Sequence, residues 1–133
     1  MILIASAAYL DTEFQIEFGK LPPAFLPIGN LRLYERQLVT LKNKFPDEDI
    51  YISLPDSYEL SKKDAVYLER EKISVIFNPP SLQLGSSILR AISIMNTKSD
   101  SKQFRLLHGD TLLIDMPEQS DVISVAETNK DYP

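Results

Sequence analysis

The sequence predicts an α/β fold, a mostly parallel sheet flanked by helices in three layers. Three observations predict it. The chain opens on a β-prone apolar run, Ile2 to Ser6, of the kind found in strands buried on both faces. Behind it, short β-prone segments alternate with longer segments of helical period, which implies right-handed crossovers and parallel pairing. The length, 133 residues with 44% hydrophobic and 25% charged, suits a single domain, 1–133, able to bury its own core.

Each element is justified in turn. The first strand, Ile2 to Ser6, is a candidate central strand. Ala7 to Asn30 has no clean period and carries Gly19, Pro22, Pro23, Pro27 and Gly29, so it is expected to be mostly loop. A loop this long inside a compact domain is usually functional or disordered. Leu33 to Lys44 has leucines at 33, 38 and 41 on one side and Arg32, Glu35, Arg36 and Lys42 free to point outward. Pro46 stops this helix. Asp49 to Leu54 is the second strand, and Pro55-Asp56-Ser57 is a turn. Asp56 or Ser57 can cap a helix to about Glu71. Ile73 to Phe77 is the third strand, stopped by Asn78-Pro79-Pro80. Gly85 or Ser86 opens a helix through Met95, with Ile88, Ala91, Ile92 and Met95 on one face. Phe104 to His108 is the fourth strand, and Val122 to Ala126 is expected to be a fifth.

Composition removes several function classes. With no cysteine and one histidine, His108, neither a disulfide nor a zinc site of several histidines can form. Lys and Arg number 14 against 19 Asp and Glu, and they do not cluster, so nucleic acid is not expected as a partner. The apolar start is short, lacks a basic lead-in and soon meets Asp11, Glu13 and Glu17, which is neither a signal peptide nor a membrane span. No membrane association is expected, and the cytoplasm is the default compartment.

Ligands of open parallel sheets bind beyond the carboxyl ends of the strands. That rule marks three places: Ala5 to Gly29, Asn78 to Ser87, and Gly109-Asp110. Asp110 follows a strand and a glycine, and a carboxylate there can hold Mg²⁺ against phosphate oxygens. It can equally be a turn residue. Small residues at Ala5-Ser6-Ala7-Ala8 let a base or phosphate approach the backbone, or simply pack tightly. Gly85-Ser86-Ser87 at a helix start offers free N–H groups to an anion, or a plain cap. Lys20 is the lysine of the long loop, either a catalytic cation or a solvated charge.

The residues carry a family resemblance. Leu21-Pro22-Pro23-Ala24-Phe25-Leu26-Pro27-Ile28-Gly29-Asn30 resembles the Pro-Lys-Ala-Leu-Leu-Pro-Val-Gly stretch of sugar-phosphate nucleotidyltransferases. Leu33 to Leu38 resembles the helix that follows it in that family. Ile2 to Ala8 is similar to the opening strand and its loop, and Leu107-His108-Gly109-Asp110 to the strand end bearing the metal-binding aspartate. The resemblance implies a Rossmann-like fold of the nucleotidyltransferase or GT-A type, Mg²⁺ as cofactor, and a nucleoside triphosphate with a sugar- or alcohol-phosphate as substrates. It implies nucleotide contacts from Ala5, Ser6, Ala7, Ala8, Gly85, Ser86, Ser87 and Gly109, metal binding by Asp110, and a role in making activated sugars or alcohols for surface, including capsular, polysaccharide.

The departures shape the expectation. Where the family carries Gly-x-Gly-x-Arg, this chain has Ala8-Tyr9-Leu10-Asp11-Thr12-Glu13, and the lysine of Pro-Lys falls on Pro23. Lys20 is the candidate to supply the missing cation. The alternatives are a catalytically inactive, nucleotide-binding or protein-binding relative, and a GT-A glycosyltransferase. The family fold usually continues beyond this length, so the domain is expected to be truncated and its uncovered sheet edge to favour a homodimer.

Overall fold

The computed structural model describes residues 1–125. In chain order the elements are β1 (Ile2–Ala5), α1 (Thr12–Phe18), a 3-10 turn (Pro23–Phe25), β2 (Pro27–Ile28), β3 (Leu31–Arg32), α2 (Leu33–Lys44), β4 (Ile50–Pro55), α3 (Lys62–Arg70), β5 (Ser74–Asn78), α4 (Leu84–Asn96) and β6 (Arg105–His108). The main sheet runs β5-β4-β1-β6 and is parallel throughout. Ile2 aligns with Ile50 on one side and Arg105 on the other.

Side-chain alternation along β1 splits the core into two layers. Ile2 and Ile4 face a cluster that contains Leu38 and Leu41 of α2 and Leu68 of α3. Leu3, with Met1 and Tyr51, faces Ala91 and Met95 of α4. The three layers are therefore α2 and α3, the sheet, and α4. The α/β expectation and the central place of β1 hold. So does α2, whose residues at 33, 34, 37, 38 and 41 are all buried.

Other expectations need correction. The segment from Ala7 to Asn30 is not mostly loop. Asp11 caps α1 by accepting the Phe14 N–H at 3.2 Å, and Gly19 ends it at φ 83°, a left-handed angle that glycine adopts without strain. Pro27–Ile28 and Leu31–Arg32 then pair as an antiparallel hairpin around Gly29-Asn30. The helix expected from Asp56 or Ser57 starts only at Lys62, because Ser61 supplies the cap at 3.1 Å from the Asp64 N–H. The last helix opens at Leu84 with Gln83 as its N-cap, so neither Gly85 nor Ser86 caps it. Val122 to Val125 form no strand: they are exposed and unpaired with any neighbour, without which an extended run has no ladder. Ala126, the end of that expected strand, lies outside the described residues.

Candidate functional site

The strand order reverses once. The chain steps from β1 to β4 to β5, then returns through α4 to place β6 on the opposite side of β1. The crevice outside the carboxyl ends of β1 and β6 is the switch point of the sheet. Ala5 and His108 are register partners there, and the Gly109 N–H donates to the Ala5 carbonyl at 2.8 Å.

Ser6 is 2% exposed and fully engaged. Its N–H donates to the Ser53 carbonyl at 3.1 Å, and its Oγ accepts the Ala24 N–H at 3.0 Å. It ties the strand end to the 3-10 turn. Gly109 lies so close that a Cβ there would sit 2.7 Å from Ser6 Cβ and 2.8 Å from the Ala5 carbonyl oxygen. Ala7 is half-buried and Ala8 exposed, so of the four small residues Ala8 is the one most open at the mouth.

Asp110 is exposed at the end of β6. Its Oδ1 accepts the Thr111 hydroxyl at 2.9 Å. Among the described residues, no group of three His, Cys, Asp or Glu side chains is gathered for a metal. A lone carboxylate suits Mg²⁺ that draws its other ligands from water and substrate phosphates.

Gln37 was not singled out from the sequence. It is 0% exposed on the core face of α2. Its Nε2 donates toward three carbonyls of the turn: Thr111 at 2.7 Å, His108 at 3.2 Å and Gly109 at 3.3 Å. The available signal was a polar residue in the apolar row 33, 37, 41.

Lys20 packs on an aromatic ring. Its Nζ lies 4.6 Å from the centre of the Tyr9 ring, a cation–π contact. Tyr9 in turn hydrogen-bonds Ser57 beyond β4 at 2.8 Å and meets Tyr58 edge-on. No ion pair or hydrogen bond links Lys20 to Asp110 among the described residues. Gly85, Ser86 and Ser87 open α4 beyond β5, at the far edge of the sheet. Three inter-strand steps, roughly 14 Å, separate β5 from β6. The Ser87 N–H is spent on the Gln83 carbonyl at 2.9 Å. Its hydroxyl and carbonyl both accept from Asn78 Nδ2, at 2.9 and 3.0 Å, so that of these three residues Gly85 and Ser86 are exposed and Ser87 is buried. Arg90 closes the cluster on Asn78 Oδ1.

A smaller cleft of about 240 Å³ lies between the hairpin and the first turns of α2 and α3. Buried Asp64 lines it, accepting Tyr34 Oη and Ser61 Oγ at 2.6 Å each. Burial and the hydrogen bond to Asp64 push the Tyr34 phenol well above the usual tyrosine range. These carboxylate contacts are internally satisfied, so the cleft reads as a structural joint. Among the described residues no helix is long and apolar enough to cross a membrane. Neither the family models nor the curated proteins nor the solved structures compared with this chain contain a match.

Proposed function

We propose that this chain is a nucleotide-binding domain of the nucleotidyltransferase type, working in the cytoplasm with Mg²⁺. An oxygen of a sugar- or alcohol-phosphate attacks the α-phosphorus of a nucleoside triphosphate. The bond to the β,γ-pyrophosphate breaks and pyrophosphate leaves. The activated product suits surface polysaccharide synthesis.

One observation carries the reading: the reversal of strand order beside β1, with Gly109-Asp110 at that crevice. Asp110 would hold Mg²⁺, and the metal would supply neutralisation of phosphate charge there. Gly109 packs against Ala5 and Ser6 and so draws the ends of β1 and β6 together beside Asp110. The carboxyl ends of β5, β4, β1 and β6 form one shelf about 14 Å across. The exposed start of α4 at Gly85-Ser86 stands at one end of the shelf and Asp110 at the other. Catalysis on such a shelf is positioning and electrostatics.

A second reading, a nucleotide-binding relative without transfer activity, is favoured by Lys20. The cation of the first loop rests on Tyr9, and Asp11 and Glu13 stand nearby in sequence. Thermal-shift titrations with ATP, CTP, GTP and UTP, each with and without Mg²⁺, test both. A Mg²⁺-dependent rise with one of them, lost in Asp110→Ala, is expected. Release of pyrophosphate with an acceptor phosphate then separates transfer from binding alone. No shift with any triphosphate at millimolar concentration would overturn the proposal.

A further inference from the structure

We infer that Gln37 is the positioning residue of the turn that carries Asp110. The inference rests on reading Asp110 as the metal-holding carboxylate. Its physical ground is separate from that reading. A buried primary amide is costly unless its polar atoms are used. Gln37 uses one end of its amide fully: Nε2 gathers the carbonyls of His108, Gly109 and Thr111, 71 to 74 residues away in the chain. Its other end, Oε1, is buried without a protein partner, alone in this among the described side chains. A glutamine placed only for packing would be better replaced by leucine, which fills the same row of α2 at positions 33 and 41. The three-way contact is what leucine could not provide.

The turn needs such a hold. Beyond β6 the chain leaves the sheet after a single ladder-like bond, Gly109 N–H to Ala5 O at 2.8 Å, and one tight turn, Thr111 N–H to His108 O at 3.1 Å. Carbonyls turned toward one point repel each other through their dipoles. An N–H₂ group at that point holds them together and so fixes the Cα of Asp110 between two tethered residues. Partners of this kind orient a metal-holding carboxylate without touching the metal.

The test uses Gln37→Leu and Gln37→Glu in the whole chain. Amide hydrogen exchange at Gly109 and Thr111, without ligand, reports on the turn, and exchange at Ser6 and Asp56 reports on the rest of the sheet edge. In Gln37→Leu the turn amides are expected to exchange about tenfold faster while Ser6 and Asp56 keep their protection, as for a local opening. In Gln37→Glu the protonated carboxyl can still donate one hydrogen bond, whereas the ionised form is repelled by the carbonyls. Protection of the turn should therefore be partly restored at low pH and fall as pH rises. Neither the wild type nor Gln37→Leu should show that dependence. Equal acceleration at all four amides, or a Gln37→Glu protein with no pH dependence, would overturn the inference. Mn²⁺ binding is measured on the same proteins. A loss of about 10- to 100-fold in Gln37→Leu is expected. A wild type that binds no Mn²⁺ overturns the metal reading of Asp110, whereas the exchange arm upholds or overturns the hold on the turn by itself.

Discussion

At the scale of single residues, the crevice is set by what cannot fit. Gly109 is not in the left-handed region, so its backbone angles do not require glycine. Space does. A Cβ would meet the Ala5 carbonyl oxygen at 2.8 Å and Ser6 at 2.7 Å, and the carbonyl belongs to a sheet strand that cannot give way. Gly109→Ala is therefore expected to lower stability by about 1–3 kcal/mol through overpacking. Urea denaturation checks it, and an unchanged midpoint would mean that the two strand ends part easily. The same closeness buries Ser6. Its hydroxyl receives the Ala24 N–H and lies under Gly109.

At the scale of elements, the amino end of the sheet is fastened by charge. The Met1 ammonium sits 2.9 Å from Glu48 Oε2, and Arg105 Nε of β6 lies 3.2 Å from the other oxygen. One carboxylate before β4 thus holds the starts of two other strands, β1 and β6. Burial opposes ionisation of Glu48, but the hydrogen bonds from Met1 and Arg105 outweigh it and hold the carboxyl below its usual range. A depressed folded value means the stabilisation is present above about pH 4.3, the unfolded value, and is lost as pH falls through the folded one. Glu48→Gln is expected to cost about 1.5–3 kcal/mol at pH 7, as for hydrogen bonds to a charged group. The gap from wild type should shrink by pH 3. Urea unfolding at the two pH values checks it, and an equal gap at both would assign the loss to packing.

At the scale of the whole molecule, the sheet ends among the described residues on two edge strands, β5 and β6. β6 pairs only with β1 among the described residues, and a groove of about 920 Å³ runs beside it. Residues 112–125 cover it incompletely. Lys44 holds Asp115 at 3.0 Å and Met116 is buried, but Ile114, Ile123 and Val125 are 97%, 90% and 87% exposed. Free strand edges with apolar surroundings pair with other chains. The protein is expected to self-associate as its concentration rises, and Ile123→Lys to weaken that association. Sedimentation at several concentrations decides it; a monomer throughout would contradict the expectation.

The sequence by itself determined the elements whose signals are local. The leucines of 33–44 with Pro46, the apolar Ile2 start and the alternation of short and long segments act over a few residues, so the α/β class and α2 were legible. α1 was legible only in its caps, Asp11 and Gly19. Its residues bury no face, and periodicity reads burial. The β-prone run at 122–125 misled, because a strand exists only against a partner backbone. Tertiary structure alone decided the rest. Which strands are neighbours, that Lys20 lies on Tyr9, and that Gln37 reaches across 71 to 74 residues to the Asp110 turn are contacts between distant segments. No local pattern encodes them, since they are selected by the packing of the whole sheet and its two helical layers.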